Sequence, residues 1–324
     1  MRRTGVRSAF SPGRPFPCGR GRPHVLMLFL EKRYFRMRHG ADGASRFFSS
    51  QNGSGKNRYR ETGVSRISKL SYAQQVCVKA AGKAMQSTGM LRPGARVGVA
   101  VSGGVDSFVL LKVLQIRQRI VPFPFEIMAL HLNPGFDPSN HAPLAEWLAK
   151  EGIAGHLEVT DYGPRGHSEE NLRNSACFYC ARLRRKRLFT LCREYHLTHL
   201  AFGHNNDDLV SNFLMNLVQT GKVAGMSMNE PFFGGALQVI RPLMLISKAE
   251  IVRAARQWEL PVFSNPCPSA GKTRRADMMD VLDAMCAGSR VRRKNIFNGL
   301  ARWQWEQNRL DAGTIDGNAG GGIR

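Results

Sequence analysis

From Arg96 to Ile240, short β-branched runs alternate with stretches of helical periodicity. That order restricts the chain to an α/β fold with a parallel sheet covered by helices on both faces. Arg96–Val101, Glu126–Leu132, His156–Val159, Thr198–Phe202 and Leu237–Ile240 read as strands, being short, apolar and bounded by turn residues. Between them lie helical patterns: Ser71 as N-cap to about Met85, 107–118, Ala142–Glu151, Asn174–Tyr195 and Asp207–Gln219. Ser247 opens a further helix to about Trp258, with Glu250 at the capping-box position. Helices from about Arg274 onward complete a small C-terminal part.

Three regions follow from this pattern. Residues 71–288 form the folded domain, and 289–324 a C-terminal helix with a flexible glycine-rich tail. Residues 1–70 are rich in Arg, Gly, Ser and Pro without periodicity, as a disordered basic leader would be. That leader has the composition of a mitochondrial targeting segment, or else marks a start site called too early, with the true one at Met27 or Met37; the second is favoured. Its run Val25–Leu30 is too short to span a bilayer, so no membrane association is expected and the cytoplasm is the expected location.

Charge narrows the partners. The 324 residues carry a formal net charge of +23, which suits a polyanion, nucleic acid being the commonest. More than half of that excess lies in residues 1–70, where 16 Lys or Arg face only Glu31, Asp42 and Glu61. The folded part is basic as well, with one run from Arg182 to Arg187 and another from Arg290 to Lys294. Seven cysteines without paired spacing exclude a secreted disulfide framework and point to a reducing compartment.

Ser102-Gly103-Gly104-Val105-Asp106-Ser107 lies between the first strand and its helix, where open α/β sheets bind ligands. The glycines let backbone approach a phosphate, and the helix behind them offers free N–H groups and a positive dipole end. Ser102 and Ser107 add hydroxyls. Asp106 beside phosphate calls for an intervening cation such as Mg²⁺. The loop is no Walker A, which needs G-x-x-x-x-G-K-[ST]. In this strand–loop–helix setting the hexapeptide resembles the PP-loop of the N-type ATP pyrophosphatases. The resemblance implies an adenine nucleotide alpha hydrolase-like, Rossmann-like fold, ATP as substrate, an adenylated intermediate and release of pyrophosphate.

Cys177 and Cys180 place two thiols one helical turn apart on one face, beside the Arg182–Arg187 run. Two ligands close neither a zinc site nor a cluster, so a partner is needed. Cys267, in Asn265-Pro266-Cys267-Pro268, is the candidate, in a loop able to fold back over the sheet edge. Taken alone, the pair is equally a redox couple or a zinc half-site. Cys77, Cys192 and Cys286 sit among apolar helical neighbours and read as buried small hydrophobes. With the PP-loop, the three cysteines resemble the tRNA thiolases of the TtcA and TtuA type, in which a C-x-x-C and one later cysteine hold a [4Fe–4S] cluster with one iron left open. The TtcA branch fits better, since the chain has no paired-cysteine zinc modules at its ends. Two departures remain: Ala270 where many TtcA-type proteins have a further cysteine, and Val105 where they often have lysine.

Further positions match that family. Phe202-Gly203-His204-Asn205-Asn206-Asp207-Asp208 resembles its G-H-x-x-D-D turn, which implies that Gly203, His204 and Asp207 face the nucleotide or its metal. Arg241 lies in an R-P-L segment ahead of a helix and is expected to face phosphate. His131 falls where relatives hold adenosine. The resemblance spans roughly residues 72–285. It implies an ATP-dependent tRNA sulfurtransferase that adenylates a tRNA pyrimidine, most simply cytidine, and replaces its C2 oxygen with sulfur. Asp106, Cys177, Cys180 and Cys267 would carry the chemistry, a donor such as a cysteine desulfurase would supply sulfur, and a homodimer is common among relatives. The alternatives are a tRNA lysidine synthetase-like ligase and a non-catalytic RNA- or metal-binding protein with a degenerate ATP site.

Overall fold

The computed structural model describes residues 25–28, 67–172, 174–271 and 274–317. Seven strands form one sheet: β1 (Val25–Leu28), β2 (Arg96–Ala100), β3 (Glu126–Asn133), β4 (Ala154–Val159), β5 (His199–Ala201), β6 (Asn229–Phe232) and β7 (Leu237–Ile240), in the order β1-β4-β3-β2-β5-β7-β6. The five central strands are parallel. The sheet as a whole is mixed, because β1 pairs antiparallel with β4 and β6 antiparallel with β7.

Both edge strands correct the sequence reading. Asn229-Glu230-Pro231-Phe232 lacks apolar alternation, and its proline is tolerated because an edge strand leaves one side of its ladder unpaired. Val25–Leu28 falls in the region read as a disordered leader, yet it registers Val25 against Glu158 through Leu28 against Gly155. Ile67 and Leu70, also assigned to the leader, pack against the core. The rest of the leader, with Cys18, and the glycine-rich residues from 318 lie outside the described residues.

The helices are α1 (Tyr72–Ser87), α2 (Val105–Arg117), α3 (Ala142–Glu151), α4 (Tyr162–Gly166), α5 (Ala176–Glu194), α6 (Asn206–Thr220), α7 (Lys248–Gln257), α8 (Arg274–Cys286) and α9 (Arg290–Gly317). Ser71 caps α1 in a full capping box with Gln74, and Ser247 accepts from the Glu250 amide at the start of α7. The pleat sends alternate strand residues to opposite faces. Val97, Val99 and Ala129 meet Phe108, Leu111, Leu148 and Ile251 in the larger core, while Leu130, Leu132 and Val239 meet Leu188 and Leu191 of α5 on the other face. Val210 of α6 packs separately with Leu282 of α8 and Phe297 of α9. No helix among the described residues is long and apolar enough to cross a membrane.

Candidate active site

The chain reverses its direction of travel across the sheet between β2 and β5, since β3 flanks β2 on one side and β5 on the other. A crevice opens there at the carboxyl ends of the strands. The loop 102–104 leaves β2 into it, and the turn 202–205 leaves β5. Together with α5, α9 and the segment 223–227 they enclose a cavity of about 970 Å³.

The phosphate loop is held by its own hydroxyls. The Ser102 amide donates to Ser107 Oγ (3.2 Å), Ser107 Oγ donates to the Gly104 carbonyl (2.8 Å), and the Gly104 amide donates to Ser102 Oγ (3.3 Å). Ser107 is therefore a loop-shaping residue, its proton committed and its side chain buried; Ser102 stays exposed. Gly104 is the N-cap of α2 and supplies no side-chain cap, so the first-turn N–H groups face the crevice. Val105 turns into the core. Gly103 has φ of +92°, and a Cβ there would meet the Phe263 ring at 2.5 Å. A Cβ on Gly203 would stand 2.9 Å from the Asp106 carbonyl, so both glycines are dictated by close approach.

Asp106 projects from the first turn of α2. Its Oδ1 accepts from the Asn205 carboxamide at 3.0 Å, and its Oδ2 pairs with the ammonium of Lys248 at the start of α7. The second contact joins residues 142 positions apart, which no local pattern announces. The carboxylate fits the Mg²⁺ expectation, because Mg²⁺ needs only one or two protein carboxylates beside substrate phosphates. Asp208 lines the same cavity.

The other expected nucleotide contacts divide. His204 and Arg241 line the cavity. Burial, with Arg241 nearby, drives His204 down to about 3, so its ring is neutral, and its buried Nδ1 has no hydrogen-bond partner among the described residues. Arg241 is partly buried and held by Glu230 at 3.2 Å. Asp207 is turned outward to Arg293 of α9 at 3.1 Å, and Asp208 takes its place at the cavity wall. His131 is fully buried beneath the loop. Its Nδ1 donates to the Val101 carbonyl (2.8 Å) and burial lowers it to about 4, so it stands behind the crevice, against Phe263.

Two of the three cysteines sit on α5 and the third on a loop fastened at the strand ends. Ser175 caps α5 by accepting from the Phe178 amide, fixing the turn that carries Cys177 and Cys180. The loop bearing Cys267 is fastened over the strand ends: the Phe263 amide donates to the Gly103 carbonyl (3.0 Å), and Asn140 donates to the Ser264 carbonyl (2.9 Å). Ser269 bonds His167 at 2.8 Å. The phosphate loop and the Cys267 loop thus share hydrogen bonds. Burial raises the Cys180 thiol, opposed by Arg184; the sulfurs of Cys267 and Cys177 add to the rise. Among the described residues no three His, Cys, Asp or Glu side chains converge on a single-ion site. Cys180 senses the sulfurs of both Cys177 and Cys267, and thiolate donors, two of them one turn apart on one helix, are the chemistry that suits an iron–sulfur cluster. Cys77, Cys192 and Cys286 are buried, and burial pushes the first two to about 12, so they are inert core.

Sequence reasoning missed the far wall. Arg275 of α8 and Trp303, Gln304 and Gln307 of α9 line the cavity, although no motif marks them. The one signal available was a C-terminal helix opening on the basic Arg290–Lys294 segment.

Comparison with known proteins agrees with this geometry. A PP-loop domain model matches residues 74–277. A tRNA-cytidine(32) 2-sulfurtransferase of Geobacter sulfurreducens is 35% identical over 192 residues, covering 59% of this chain and 75% of that protein. One from Citrifermentans bemidjiense is 31% identical over 222 residues, 68% of this chain and 87% of its own. One from Bordetella pertussis is 32% identical over 231 residues, 68% and 69% respectively. The fold also matches a U34-tRNA thiolase, NcsA, of Methanococcus maripaludis, solved with its [4Fe–4S] cluster, with a TM-score of 0.58 at 22% identity over 74% of this chain and 82% of the other. With the glycine loop at the switch point and the match running across most of the sheet, the chain belongs to the PP-loop family.

Proposed function

We propose that this protein is an ATP-dependent tRNA sulfurtransferase that converts a cytidine to 2-thiocytidine. The observation that carries the proposal is the shared anchorage of the phosphate loop and the Cys267 loop, which ties the loop read here as adenylating to the segment that bears Cys267. Relatives that match most of their own length are named tRNA-cytidine(32) 2-sulfurtransferases.

ATP binds with its phosphates at the α2 N-terminus, held by first-turn amides and by Ser102. Asp106, freed if Lys248 turns from the carboxylate to the phosphates, would hold Mg²⁺, which would neutralise phosphate charge. The C2 oxygen of the cytidine attacks the α-phosphorus, the bond to the bridging oxygen breaks, and pyrophosphate leaves. Amides and Lys248 stabilise the charge growing on the phosphates. A sulfide equivalent then adds at C2, and AMP departs with the original oxygen. Cys177, Cys180 and Cys267 would hold a [4Fe–4S] cluster, whose open iron supplies a place to carry that sulfur. Arg184, between Cys180 and the cavity, offsets negative charge at the sulfur site. A cysteine desulfurase is the proposed sulfur source, and the cytoplasm the proposed location.

Purified, cluster-loaded protein should release pyrophosphate from ATP only when tRNA is added, and Lys248→Met should abolish the release. Turnover without tRNA, or with free lysine as a required co-substrate, would instead favour a ligase.

A further inference from the structure

The cavity is larger than ATP requires, standing at the upper end of the roughly 300–1,000 Å³ usual for small-molecule sites. Its phosphate end is the loop at Ser102 and Asp106. Part of its wall is α9, which begins beyond the residues matched by the PP-loop model. Trp303 and Gln307 lie four residues apart on α9, one above the other on a single face, and both line the cavity. The Trp303 ring is held edge-to-face against Phe213 of α6 with centroids 5.4 Å apart, and it remains partly exposed.

The wall is built to stay in place. Gln304 is buried, and a Cβ on Gly225 would meet its Oε1 at 1.9 Å and Trp303 Cζ3 at 3.2 Å. A side chain at position 225 would therefore displace the Gln304 carboxamide from where it meets the segment 223–227. Arg293 ties the start of α9 to Asp207, next to the turn that carries His204.

A base that reacts at C2 must leave its stack and enter a pocket with its ring held and its edge read. We infer that α9 forms the seat for the reacting pyrimidine: Trp303 stacks on the base, Gln307 hydrogen-bonds its edge, and Gln304 is a positioning residue that locks the wall. This rests on the tRNA-modifying reading of the site. A carboxamide offers both a donor and an acceptor, as the exposed edge of a pyrimidine requires. Because Trp303 and Gln307 line the same cavity as Ser102 and Asp106, a base so held would share that space with the phosphates of ATP.

The test uses the full chain carrying its cluster, with Trp303→Leu, Trp303→Phe and Gln307→Ala. Leucine keeps apolar packing on Phe213 without a π-face; phenylalanine keeps both. Binding of a cytidine-containing anticodon stem-loop RNA and binding of ATP are measured separately, alongside thiolation of the RNA. Base–aromatic stacking predicts a loss of about 5- to 100-fold in RNA affinity for Trp303→Leu, ATP affinity within about twofold of wild type, and recovery of most RNA affinity in Trp303→Phe. Gln307→Ala should lower thiolation while leaving ATP binding intact. Unchanged RNA binding and thiolation in Trp303→Leu and Gln307→Ala would overturn the seat alone, as would loss of ATP binding instead, which would make Trp303 an adenine platform. Wild-type protein that binds the RNA through Trp303 but never thiolates it would overturn the proposed reaction and keep the seat. Wild-type protein that binds no RNA overturns both.

Discussion

The Lys248 ammonium rests on the Asp106 carboxylate across 142 positions of sequence, joining the start of α7 to the first turn of α2. Each group serves the other until ATP arrives, when the cation belongs with phosphate and the carboxylate with Mg²⁺. Lys248→Met should lower tRNA-dependent pyrophosphate release by about 10²-fold or more, the scale of losing one preorganised charge donor. Asp106→Asn keeps the Asn205 contact and loses the metal ligand. It should raise the Mg²⁺ concentration needed for half-maximal release, and a Mg²⁺ titration checks this.

Gly203 has no room for a side chain. Its Cβ would press on the carbonyl of Asp106 and, at 3.0 Å, on the Ser107 amide, which are backbone atoms that cannot rotate away. Gly203→Ala should destabilise by about 1–3 kcal/mol and weaken ATP binding by shifting the loop. Thermal unfolding with and without ATP measures both effects, and the stabilisation by ATP should shrink.

The cysteines separate by location. Cys177→Ser, Cys180→Ser or Cys267→Ser should cut bound iron to near background and abolish thiolation while leaving unfolding within a few degrees, because all three are only partly buried. Cys192→Ser should do the opposite: iron retained and about 1–3 kcal/mol of stability lost by burying a hydroxyl in an apolar core. Iron content and melting temperature for the four variants decide between these patterns.

Two buried histidines give the fold an acid limit. His131 and His199 are held to about 4 by burial, against an ordinary value near 6.5. Between those limits the unfolded chain binds protons that the folded chain refuses, so stability is complete above about pH 6.5 and falls as pH drops toward 4. The loss is on the order of 1–3 kcal/mol per histidine. Urea midpoints at neutral pH and at pH 5 should show the drop; a flat profile would contradict it.

What was legible in the sequence was whatever local pattern dictates. The central parallel strands, the glycine loop and the α3 boundaries follow from apolar runs, glycine and caps. The placement of the cysteines was legible because C-x-x-C fixes two thiols on one helix face and Asn265-Pro266-Cys267-Pro268 forces a loop. β6 was not, since an edge strand needs no alternating apolar face. The partners of Asp106 and Asp207 were not either: Lys248 and Arg293 reach them only through tertiary packing. His131 shows the converse, a strand-end histidine that looked available and is buried because the Cys267 loop lies over it. The α9 wall carries no motif, since stacking and carboxamide contacts demand only a residue type at the correct place.

The central claim is tested most directly by mass spectrometry of tRNA nucleosides from cells lacking the gene, with and without the wild-type copy restored. The account predicts that 2-thiocytidine disappears, returns with the wild-type copy and stays absent with Cys177→Ser. Persistence of 2-thiocytidine in the deleted cells, with every other thionucleoside unchanged, would contradict it.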